Sequence, residues 1–160
     1  MRPARRKLNY RFIGKRREVH YNDVEQYIER GSIPMNEDSK RAVLTKLLPE
    51  GEQYVLTLLG QQKSPEKTWC YIGMTDKHMV IAHISKENPN KLLREEVVEL
   101  NQITDVKIKQ NIFQWQIVTM TTPSGRRQLV LKDNTMGTGL DKNLQLQGVK
   151  YLCQRLRELA

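Results

Sequence analysis

Two periodicities divide the chain. Between Asn22 and Pro49 apolar residues recur at three- and four-residue spacing, as along one side of a helix; from Tyr54 to Leu131 they form short runs or alternate with polar residues, as in strands. The first helical stretch opens with Asn22 and Glu25 at capping-box spacing, carries Val24, Tyr27 and Ile28 on one stripe and stops at Gly31. The second begins near Asn36, places Glu37 and Asp38 in the first turn, where the helix dipole favours negative charge, and ends before Pro49. Its stripe is Val43, Leu44, Leu47 and Leu48. Each helix is too short to be stable alone and has to pack on something.

Seven strands are predicted after that: Tyr54 to Gly60, Thr68 to Thr75, His78 to Ile84, Glu95 to Leu100, Ile103 to Lys109, Gln114 to Thr121 and Arg126 to Leu131. Ser64-Pro65, Asp76-Lys77, Asn88 to Asn90 and Pro123 to Gly125 supply turn chemistry between them. Links this short pair neighbouring strands antiparallel, because a parallel crossover needs a dozen or more residues. Gln114, Gln116, Val118 and Met120 alternate with Trp115, Ile117, Thr119 and Thr121, so one sheet face is expected to be wet. From Asp141 to Ala160 the spacing of Val149, Leu152, Cys153 and Leu156 returns to that of an amphipathic helix, which would close one end of a bent sheet. The expected fold is mainly β: a seven-stranded antiparallel barrel or sandwich capped by a C-terminal helix, with two short N-terminal helices in front.

Tyr71 to Ala82, an apolar strand running into Thr75-Asp76-Lys77 and leaving on another strand, resembles the second-to-third-strand hairpin of bacterial pleckstrin-homology-like domains. Ile103-Thr104-Asp105-Val106, after the apolar pair Val97-Val98, is similar to the start of their fifth strand. The resemblance covers residues 50 to 160 roughly and implies a non-catalytic interaction module. In eukaryotic relatives, basic residues in the first hairpin hold phosphoinositides. The corresponding loop here, Gln61 to Lys67, has only Lys63 and Lys67 beside Glu66. The domain organisation expected is a basic arm over 1–17, a helical lead-in over 18–50 and the PH-like domain over 51–160.

Charge changes this picture at one end. Of the formal +9, the first 17 residues contribute +8 through Arg2, Arg5, Arg6, Lys7, Arg11, Lys15, Arg16 and Arg17, with no acidic residue among them. The remaining 143 residues carry 19 basic and 18 acidic groups, so the body is nearly neutral. Arg5, Arg6, Lys7, Arg11, Lys15, Arg16 and Arg17 are therefore candidate anion-binding residues, for nucleic acid or an anionic membrane surface, with Tyr10 and Phe12 between them able to stack or dip into an interface. An Arg-rich, acid-free start is also the pattern of an organellar transit peptide, against which Pro3 and the scarcity of Ser argue. No stretch approaches the ~20 apolar residues of a membrane span, and two cysteines without a framework point to a reducing, cytoplasmic setting.

Catalytic chemistry finds no constellation. His78 and His83 are five apart in one strand and face opposite sides, so they are expected as surface or edge histidines, along with His20. Cys70 and Cys153 read as small core residues, and Asn134 to Gly139 reads as a flexible connection with Asp141 capping the helix. No catalytic, cofactor or metal residue is assigned. Phe113, Trp115 and Ile117 are the candidate apolar anchors for a protein partner or a second copy, which is the leading expectation for function.

Overall fold

The computed structural model of the chain describes residues 35–133, 135 and 137–160. The helix expected from Asn22 to Gly31 lies outside them. The second is present as α1, Glu37–Leu47, with Asn36 as its N-cap: its side chain accepts the Ser39 N–H at 2.8 Å.

Seven antiparallel strands follow: β1 Leu56–Ser64, β2 Thr68–Met74, β3 His78–Ile84, β4 Leu92–Glu99, β5 Thr104–Gln110, β6 Gln116–Thr122 and β7 Gly125–Leu131. Their order is β4-β3-β2-β1-β7-β6-β5, one sheet whose first four and last three strands are each a meander joined through β1 and β7. α2, Lys142–Leu159, closes the chain, capped by Asp141 accepting from the Leu144 N–H. Seven antiparallel strands followed by a helix are the element order expected. The Thr75 turn behind the resemblance is built by its hydroxyl, which accepts the N–H groups of Lys77 and His78 at 3.1 and 2.9 Å.

The inward residues of the bent sheet, Leu58, Cys70, Ile72, Met79, Ile81, Val118, Leu129 and Leu131 among them, meet Val149, Leu152, Cys153 and Leu156 of α2 in one core. β1 pairs with β7 only from Gln61 onward, so its earlier half has a free edge, and α2 fills that opening. Gln145 of α2 substitutes for a strand there: its side chain accepts from Leu59 N–H at 2.9 Å and donates to the carbonyls of Leu59 and Lys132, each at 2.8 Å. Gly148 makes this approach possible, since a Cβ at that position would lie 2.9 Å from the Thr57 carbonyl oxygen.

The expectation of a wet outer face holds for only part of the sheet. Over β1 to β3 the outward residues Leu59, Tyr71, Val80, Ala82 and Ile84 are buried in a second core beneath Val43 and Leu44 of α1. Tyr54 ties this layer down by donating to the Leu44 carbonyl at 2.6 Å, and burial pushes its hydroxyl pKa up to about 12. Lys40, 2% exposed, is held by Glu37 at 3.0 Å, and Glu37 also accepts the Asp141 N–H at 2.9 Å, joining α1 to the start of α2. The connection expected to be flexible is anchored at its end too, where Gly139 N–H donates to Met35 O at 2.6 Å.

Candidate interaction surface at the β5–β6 turn

Sequence alternation starts the sixth strand at Gln114; the structure starts it at Gln116, because a turn intervenes. Gln114 adopts φ 65°, in the left-handed region, and its N–H bonds the Asn111 carbonyl at 2.9 Å. The Asn111 side-chain oxygen accepts the N–H groups of both Phe113 and Trp115 at 3.0 Å, and Asn111 N–H donates to Trp115 O at 3.1 Å. Asn is suited to this because its short amide imitates a backbone turn.

The turn holds two large apolar side chains in water: Ile112 is 90% exposed and Phe113 63%. Phe113 leans on Trp115, with ring centroids 5.1 Å apart, and the Lys132 ammonium sits 4.1 Å from the Trp115 ring centroid. Ile117 is half-buried on the outer face, paired with Val130 and Lys109. The three candidate anchors thus lie in sequence along one ribbon, with Phe113 projecting, Trp115 partly sheltered and Ile117 in the sheet. Ile112, the most exposed of the group, escaped the sequence reading. The readable signal was Asn111, a turn former placed directly before Ile112 and Phe113. Of the candidate anion-binding residues, Arg5, Arg6, Lys7, Arg11, Lys15, Arg16 and Arg17 all lie outside the described residues.

At the end of the barrel away from α2, the inward positions are polar. Arg127, buried, donates from Nη1 to Glu96 Oε2 at 2.5 Å and Gln62 Oε1 at 3.2 Å, and from Nη2 to Ser124 at 2.6 Å and Thr122 at 3.2 Å. His83 is buried as well, contrary to the expectation of a surface histidine. Thr68 donates to its Nδ1 at 2.7 Å, and its Nε2 donates to Glu96 at 3.0 Å, a tautomer assigned from these partners. Burial opposes ionisation of Glu96, but the hydrogen bonds from His83 and Arg127, the Arg127 charge and the Ser124 hydroxyl outweigh it and hold the carboxyl down at about 2. Arg94 beside it pairs with Glu66, whose pKa is lowered by that hydrogen bond. Arg94 and Arg127 are therefore both engaged by carboxylates. The first hairpin loop is shorter than the sequence indicated, because β1 continues through Gln61 and Gln62 to Ser64.

His78 pairs with Glu52 at 2.9 Å, and the Thr75 hydroxyl donates to the same carboxylate at 2.5 Å; that bond, then His78, lowers the Glu52 pKa. Cys70 and Cys153 are buried free thiols, as expected of core residues, and burial pushes Cys70 up to about 12. Among the described residues no helix is long and apolar enough to cross a membrane.

No family model and no curated protein matches the chain. Among solved structures it is similar to the C-terminal domain of an unknown protein from Leishmania infantum, at 13% identity over 76% of this chain and 97% of that one, TM-score 0.48. It is also similar to the hSac2 domain of the human phosphoinositide phosphatase Sac2, at 12% identity over 89% and 81%, TM-score 0.47. A third likeness is to the PDZ-RhoGEF DH/PH domains in complex with GTP-gamma-S activated RhoA, at 13% identity and TM-score 0.41; 87% of this chain is covered and 40% of that one.

Proposed function

We propose that the chain is a non-catalytic interaction module that docks on a protein partner, a second copy of itself included, through the β5–β6 turn. The observation that carries this is the fixed presentation of Ile112 and Phe113: four hydrogen bonds made by Asn111 hold the turn, so two apolar side chains stay in water without recourse to the core a few residues away. A rigid apolar projection has little conformational entropy left to lose on docking. Sedimentation velocity of the full chain over a concentration series tests the self-association branch. The wild type should gain mass with concentration and an I112S/F113S variant should not. A wild type that remains monomeric throughout refutes self-association, and equal association by the variant refutes the role of the turn.

A second reading is favoured by the eight basic residues without an acidic one in positions 1 to 17. In it, the arm binds a polyanion, nucleic acid or anionic lipid, by releasing counterions. Binding to RNA or to phosphatidylserine vesicles should fall steeply with salt and disappear on deletion of residues 1 to 17; binding untouched by the deletion overturns it.

A further inference from the structure

We infer that the receptor for the β5–β6 turn is a groove on a second copy of the chain, between the segment entering β1 and the first half of α2. The inference rests on the reading of that turn as a docking element and adds the surface that receives it.

Tyr54, Val55 and Thr57 form one wall of the groove and Leu144, Gln147 and Tyr151 the other, around a space of about 300 Å3. Val55, Leu144 and Tyr151 are 46%, 49% and 48% exposed, each with about half its surface in water. Gly148 lies between the walls, where α2 comes close to the Thr57 carbonyl. Seven large apolar side chains are exposed among the described residues; three converge on this groove and two, Ile112 and Phe113, form the turn. Most of the exposed large apolar residues are therefore concentrated in one concave and one convex feature.

The two features are alike in having uncharged residues of their own, with the Lys132 ammonium against Trp115 at the base of the turn. No lining residue of the groove is charged, and neither is any residue from Asn111 to Trp115. In a chain that is 28% charged, the absence of charge from both selects an occupant that brings none. The space is at the small end for ligand sites and suits one or two side chains rather than a cofactor. A projecting turn can enter it, because Ile112 and Phe113 lie beyond the last pair of the ribbon, Gln110 with Gln116.

The turn cannot fill its own groove. Ile112 and Phe113 are 90% and 63% exposed while Val55, Leu144 and Tyr151 of the same copy also stand half in water, and the bonds to Asn111 hold the turn where it is. The contact is therefore between copies and joins unlike surfaces, so each copy in a chain of contacts keeps one turn or one groove free at the ends. With only a few side chains inserted, the buried area falls in the range of weak, transient interfaces.

Sedimentation velocity on the full chain and two variants tests this. I112S/F113S removes the turn, and L144N/Y151S removes the groove at exposed positions. Each variant alone should associate at least about tenfold more weakly than wild type, as for loss of an interface hot spot. An equimolar mixture should form a one-to-one dimer that grows no further, since one variant keeps its groove and the other its turn. That dimer also proves that both variants fold. If the wild type associates and the groove variant does so equally well, or if the mixture stays monomeric, the groove is not the receptor, and the reading of the turn as a docking element stands apart from it. A wild type that is monomeric at every concentration removes the self-association reading itself.

Discussion

Replacing Glu96 by Gln should destabilise the protein by about 3 kcal/mol at neutral pH, with a pH dependence that identifies the cause. The carboxyl is held at about 2 instead of the ordinary 4.5, and at 1.36 kcal/mol per unit this difference corresponds to about 3 kcal/mol of native-state stabilisation. The side chain is 13% exposed, so solvent screening removes little of it, and the amide keeps the size and an acceptor while leaving the buried Arg127 guanidinium without its counter-charge. Because the folded pKa is depressed, the contribution is fully present above the unfolded value near 4.5 and is lost as pH falls through about 2. Urea unfolding of wild type and E96Q at pH 7 and pH 3 measures it. With a slope of about 2 kcal/mol per molar, the midpoint at pH 7 should drop by roughly 1.5 M, and less than half of the gap should survive at pH 3. Other carboxylates titrate in this range too, but they do so in both proteins and cancel in the difference. A gap below about 1 kcal/mol at pH 7, or one that does not narrow on acidification, would refute the argument that ionised Glu96 holds this end of the barrel.

Three further outcomes are expected. Gly148→Ala gains about 1 kcal/mol of helix propensity, but it drives a methyl group to 2.9 Å from a backbone oxygen at a cost of about 1–3 kcal/mol; a lower melting temperature is expected, and an unchanged or raised one contradicts the close approach. Gln145→Ala strands the Leu59 N–H and the carbonyls of Leu59 and Lys132, for a loss of at least about 2 kcal/mol, with faster hydrogen exchange at the Leu59 amide as the local readout. Cys70 and Cys153, buried and with raised pKa values, should not react with an aromatic disulfide reagent at pH 8 until denaturant is added, a difference read from released thiolate absorbance.

The strands that were easy to locate from sequence are those apolar at most positions and bounded by turn residues. The expected β3, His78 to Ile84, coincides with the observed strand. The boundaries that shifted share a cause. β1 runs on through Gln62 and β4 begins at Leu92, before Arg94 and Glu96, because inward positions at the open end hold the polar cluster around Arg127. Read by hydropathy, such positions look like loop. The second core was half-legible: the runs Trp69 to Met74 and Met79 to Ile84 are apolar on both faces, which is how strands covered on both sides read, but nothing local shows that α1 supplies the cover. The candidate anchors Phe113, Trp115 and Ile117 stood out as an aromatic-rich segment, but only Ile117 lies in the strand. Ile112 did not stand out, since its exposure depends on the hydrogen bonds of Asn111 rather than on any periodicity.

The half-open seam between β1 and β7 also bears on how the domain is made. Leu59 and Gln145 are 86 residues apart, and their bonds stand where strand pairing would otherwise complete the barrel. During synthesis the four-stranded meander can assemble while its first strand keeps a bare edge, and that edge stays available to neighbouring chains until α2 emerges and docks. The last helix therefore acts as the clasp of the fold, and the interval before it closes is when the nascent domain is most exposed to strand-to-strand aggregation.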